Sequence, residues 1–228
     1  MAQRTLVQLR DQVKGERPEI VSNPNFPDLF LTRLINDGQK YVQIQLADLG
    51  IKKWEATDSI TLGDLTYVGQ SIKGVVLTNE LPGKLFDGKD VIKYLECTGA
   101  SYSGIARYVD DDIFLEHLTN SFFSPSEKQP IFTRRAEYIY VAPSTITAAT
   151  AIYYKAVTDL SSDSDATTIP EAFEEFIIKK VLIEIDSINK KLQDKTIAIN
   201  ELTKDIKESF NAMGMAKMDE QPNTMTLQ

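Results

Sequence analysis

The sequence predicts an α+β protein: a helical bundle with a long C-terminal helix and a small inserted antiparallel β-sheet or sandwich. Three observations predict this class. Apolar residues recur at helical spacing over the first fifty positions. From Ile51 to Tyr154 short β-branched and aromatic stretches alternate with Gly, Pro, Asn and Asp. From Phe173 to Phe210 a helical stripe returns.

In the opening segment, Leu6, Leu9 and Val13 lie on one helical face, and the pattern stops near Gly15 and Pro18. The loop Ser22 to Pro27 follows, because each proline pushes its predecessor out of helical geometry. Pro27 then suits the first turn of a second helix over Asp28 to Leu49. Its stripe is Leu31, Leu34, Ile35, Val42, Leu46 and Leu49, with Gly38 in the remaining slot. A glycine there costs about 1 kcal/mol relative to alanine, so a close helix crossing or a bend is expected at Gly38. Gly50 is the expected C-cap.

The middle region gives strands around Ser59 to Leu62, Thr66 to Val68, Gly74 to Leu77, Val91 to Cys97, Ala136 to Val141 and Ala149 to Tyr154. Lys89 to Leu95 also fits a helix, since short apolar runs do not decide between the two. Asp112 to Asn120 reads as one short helix, entered through Asp110-Asp111-Asp112 as a solvated capping turn. Trp54 reads as a core anchor. Residues 159–168 form an acidic, polar connector. It leads into Thr168-Ile169-Pro170-Glu171, which has the form of a capping box with proline in the first turn.

The final stripe runs Phe173, Ile177, Val181, Ile185, Ile188, Leu192, Ile199, Leu202, Ile206 and Phe210. Read as one helix of about forty residues, it makes a rod of roughly 60 Å, longer than a small domain is wide. Such a rod projects beyond its own core or packs on another subunit. The following tail holds four of the five methionines, at 213, 215, 218 and 225, and reads either as disordered or as an extended arm that lies on a partner. The expected organisation is therefore N-terminal helices over 1–54, a β-rich insertion with a short helix over 55–158, an acidic loop and long helix over 159–211, and an arm over 212–228.

Composition narrows the function. The 228 residues are 42% hydrophobic and 25% charged, as in an ordinary folded protein, with a formal net charge of −8. That sign disfavours a general grip on phosphates or anionic membranes. A single cysteine, Cys97, and a single histidine, His117, leave no disulfide framework and no Cys- or His-pair metal motif. Neither a signal peptide nor a membrane-spanning run is expected. Phosphate-binding glycine loops and a nucleophile elbow are missing from the sequence. His117 lies two positions before Thr119, and a hydrolase built on it is the remote alternative. Cys97 reads as an inert buried thiol.

The order of the later segments carries a resemblance. Ala136-Glu-Tyr-Ile-Tyr-Val-Ala-Pro143, then Ala151-Ile-Tyr-Tyr-Lys-Ala156, an acidic loop, and Thr168-Ile-Pro-Glu-Ala-Phe-Glu-Glu-Phe176 resemble the head–tail adaptor proteins of tailed bacteriophages, also called connector or neck ring proteins. The likeness spans about residues 130–190, and the chain departs from compact members by a longer middle region and final helix. The resemblance implies a structural virion protein that is not an enzyme and has no cofactor or metal. It implies a homo-oligomeric ring, usually a dodecamer, at the portal vertex. The implied partners are the portal protein, a tail or second ring protein, and further copies of the chain. DNA would pass nearby without sequence-specific binding. A tail-completion or other ring protein without portal contact is the alternative. The residues expected to meet the portal or a neighbouring copy are Leu202, Ile206, Phe210, Met213, Met215, Met218, Met225 and Leu227. Residues 51–169 carry 11 basic and 16 acidic side chains, net −5, a balance that would keep passing DNA from adhering.

Overall fold

A computed structural model describes residues 3–76, 85–86, 89–90, 92–136, 138–192 and 194–213. In chain order the elements are α1 (Leu6–Glu16), α2 (Asp28–Asp48), β1 (Glu55–Thr61), β2 (Gly63–Tyr67), β3 (Gln70–Val76), β4 (Leu85–Phe86), β5 (Lys89–Asp90), β6 (Ile92–Gly99), β7 (Ser103–Ile105), β8 (Arg107–Tyr108), α3 (Asp111–Thr119), β9 (Ile131–Arg135), β10 (Tyr138–Ala142), β11 (Ile146–Tyr154), α4 (Glu174–Ile188) and α5 (Lys195–Ala212). They fall into two compact units: Met1–Ile51 with Val157–Gln228, and Lys52–Ala156.

In the helical unit, α2 packs on α4, as its apolar stripe requires. A Cβ at Gly38 would sit 3.2 Å from both the Ile177 carbonyl oxygen and the Ile177 Cγ2, so this glycine is the close crossing point. Leu31, Ile35, Val42 and Leu46 are fully buried. Gly50, at φ 93°, ends the helix, with the Ile51 amide donating to the Leu46 carbonyl at 3.1 Å. The chain returns along α2 in extended form. The Asn36 side chain bonds both backbone groups of Leu160, Gln39 donates to the Thr158 carbonyl and Gln43 accepts from the Val157 amide. Farther on, Thr5 and Ala166 form an antiparallel bridge.

The expected helical bundle with a long C-terminal helix is overturned here. The apolar stripe is divided between α4 and α5, with a break over 189–194. Lys190 takes a left-handed conformation at φ 56°, and the Asp194 carboxylate accepts from the amides of Thr196 and Ile197 at 2.8 and 3.3 Å. The two helices form an antiparallel hairpin, tied by Lys195 to Glu184 at 2.6 Å near the turn and Lys179 to Asp205 at 3.5 Å farther away. The helix start at 168–171 also differs. Pro170 occupies the N-cap position of a single 3-10 turn, Glu171–Phe173, that precedes α4.

The β unit is a layered structure of two multi-stranded sheets and one helix, with β4 and β5 paired antiparallel as a separate two-stranded sheet. One sheet has the order β1-β11-β6-β7 and the other β2-β3-β10-β9-β8; all pairs are antiparallel except β8 with β9. Residues 89–90 and 92–99 are strands, which settles the helix alternative there. Alternation along β10 explains the layering. Ile139 and Val141 face the core between the sheets, whereas Tyr140 and Ala142 pack with Phe114 of α3. Cys97 belongs to the inter-sheet core, and burial pushes its thiol pKa up to about 12, so the thiol stays protonated and inert.

Candidate assembly interface

Among the described residues the most exposed large apolar side chain of the β unit, Phe122, follows α3. Tyr67 donates its hydroxyl to the Asp111 carboxylate at 2.6 Å, and its ring meets Phe114 edge-on at 5.1 Å. This fixes the start of α3 through Asp111; the Asp110 side chain makes no capping hydrogen bond. Burial, followed by the bond to Asp111, raises the Tyr67 pKa above the ordinary phenol value. At the other end the helix stops at Asn120, whose side chain accepts from the Phe122 amide at 3.0 Å. The resulting 3-10 turn, Ser121–Phe123, leaves Phe122 93% and Phe123 56% exposed.

Beside this turn lies a groove of about 380 Å³, lined among others by Ile105, Arg107, His117, Phe123, Pro125 and Lys128. Ile105 is 58% exposed. Among the described residues the Arg107 side chain has no hydrogen-bond or ion-pair partner, and Lys128 has only the face of Tyr102, 5.4 Å from the ring centroid. The loop that carries Lys128 is held by Glu127, which accepts from the Ser101 amide at 3.0 Å. That bond, and the one from Thr145, hold the Glu127 carboxyl below the usual range.

His117 presents Nδ1 to the Phe123 carbonyl oxygen at 2.5 Å, where only an N–H donates. The Thr119 hydroxyl bonds to the Leu115 and Glu116 carbonyls, inside its own helix. The pair that motivated the hydrolase alternative is therefore engaged in local backbone bonds. Among the described residues no group of three or more His, Cys, Asp and Glu side chains could hold a metal ion, and no helix is long and apolar enough to cross a membrane.

The residues that the sequence nominated for the interface separate into three sets. Leu202, Ile206 and Phe210 are buried at 3%, 0% and 4% exposure. They belong to α5, which packs on α2 and α4 of the same chain. The fold-back of α5 consumes the face that a projecting rod would have offered. Met213, at the end of α5, is 43% exposed. Met215, Met218, Met225 and Leu227 lie outside the described residues. The groove beside Phe123 was not nominated. Its signal was Ser121-Phe122-Phe123 just past a helix stop, but adjacent aromatics have no period that reports which side faces water.

The chain thus combines a helical unit with a β unit whose aromatic turn, Phe122 and Phe123, is exposed. The sequence model of the SU10 adaptor protein family matches residues 4–226, so the chain belongs to that family. It is a phage adaptor, a structural protein of the virion that interacts with other head and tail proteins. No curated protein matches the chain.

Proposed function

We propose that the chain forms a ring, twelve-fold in the simplest case, that joins the portal to the tail and surrounds the DNA channel. The observation that carries this reading is membership of the adaptor family over nearly the whole chain. The exposed Phe122 and Phe123 add support, because large apolar groups in water are characteristic of surfaces that become covered. So does the acidic balance of the middle region, which opposes adhesion of DNA.

Met213 and the segment 214–228 remain the proposed contact with the portal or a neighbouring copy. Unbranched methionine side chains adapt to irregular grooves, and fifteen residues span up to about 50 Å when extended. Leu202, Ile206 and Phe210 serve that contact indirectly, by fixing where α5 ends. The division of labour proposed for the chain is a helical unit that carries the arm and a β unit that meets neighbours.

Sedimentation and native mass measurement of the chain mixed with purified portal rings test the proposal. A stoichiometric complex with one copy or more per portal subunit is expected. A chain that stays monomeric and unbound at every ratio would overturn it.

A further inference from the structure

We infer that the groove beside Phe123 receives the segment 214–228 of a second copy, with Met218 seated between Ile105 and Phe123 and the carboxylate of Glu220 against Arg107 and Lys128. The inference rests on the reading that copies stand side by side in an assembly. It adds the identity of the receiving surface.

The groove has an apolar floor, with Ile105, Phe123 and Pro125, and a cationic rim. Arg107 and Lys128 are exposed, and neither has a carboxylate partner among the described residues. Unpaired cations are notable here because the chain carries 33 acidic against 25 basic side chains. A complementary occupant has an apolar side chain close to a carboxylate. The sequence Met218-Asp219-Glu220 supplies that pattern, beyond the end of α5. In an extended segment Met218 and Glu220 share one face, about 7 Å apart, while Lys217 and Asp219 point the other way. An occupant in that form would keep the lysine away from the cationic rim. Met218 brings a polarizable thioether to the Phe123 ring, a contact that aromatic rings favour.

The test uses the full-length chain with photo-methionine in place of methionine. It is mixed with an equal amount of nitrogen-15-labelled chain, assembled with portal rings and irradiated. Cross-links between light and heavy chains from Met215 or Met218 to residues 105–130 are expected. Arg107→Glu should reduce them at least tenfold, and Glu220→Lys in the same chain should restore them. Arg107 is exposed and has no partner among the described residues, so the first change is tolerable to the fold. Cross-links that fall on the helical unit or on the portal, or that ignore Arg107→Glu, would overturn the inference while rings still form. Failure to assemble at all, with no cross-link between copies, would overturn the ring reading as well.

Discussion

The carboxamide of Asn36 pairs with both backbone groups of Leu160: the Leu160 amide donates to Oδ1 at 2.9 Å and Nδ2 donates to the Leu160 carbonyl at 3.1 Å. A helix side chain thus stands in for a neighbouring strand, and the returning chain needs no sheet to satisfy its polar groups. Asn36→Ala removes both partners at once. Each abandoned, partly buried backbone group costs about 1–3 kcal/mol. A loss of about 2 kcal/mol or more in urea unfolding is expected, and Asn36→Asp should recover only the bond that needs an acceptor.

Lys190 distinguishes a broken rod from a continuous one. In an uninterrupted helix Lys190→Gly would cost about 1 kcal/mol or slightly less. In the observed left-handed turn, at φ 56°, the same change relieves a Cβ penalty of about 1–2 kcal/mol. The variant should therefore unfold at a denaturant concentration equal to or above that of the parent.

Val68 and Gly69 join β2 to β3 as a two-residue turn in which both residues have positive φ, 47° and 81°. That geometry favours Asn-Gly, and a β-branched residue at the first position is strained. Val68→Asn should raise stability by about 1 kcal/mol, read as a shift of the thermal midpoint. Val68 is 56% exposed, so no core packing is lost.

Glu174 is buried, accepts from the Arg4 amide at 3.0 Å, and leaves Oε2 without a hydrogen bond at 3.6 Å from the Arg4 guanidinium. Burial raises its pKa, opposed by the Arg4 amide and charge and assisted by nearby Glu171. A carboxyl with a raised folded-state pKa binds its proton more tightly when folded. Its favourable contribution is complete below the unfolded pKa and is lost as pH rises through the folded one. Wild type should therefore lose stability relative to Glu174→Gln as pH rises above the ordinary glutamate range. A difference that stays constant with pH would contradict this.

Much of the helical unit could be read from spacing alone. Leu31, Leu34, Ile35, Val42 and Leu46 made α2 plain, and Gly38 marked its crossing with α4. The break between α4 and α5 escaped because the step of seven from Leu192 to Ile199 continues the helical phase. The local signals were present: Asn189-Lys190 allows a left-handed turn, and Asp194 is an N-cap residue. Periodicity, which reports buried faces, cannot by itself say whether one helix or two present them. In the middle region the existence of strands was evident, but their pairing was not. The contact of β1 with β11 joins residues almost a hundred positions apart, and register of that kind depends on the whole core. The groove beside Phe123 depends on exposure, which is created by the Asn120 turn and the loop that carries Lys128.

Cross-linking mass spectrometry on intact virions tests the central claim most directly. If the chain is the adaptor of the neck, its exposed lysines should link to portal and tail proteins and to further copies of itself. Its absence from purified particles, or links to the capsid shell alone, would contradict that account.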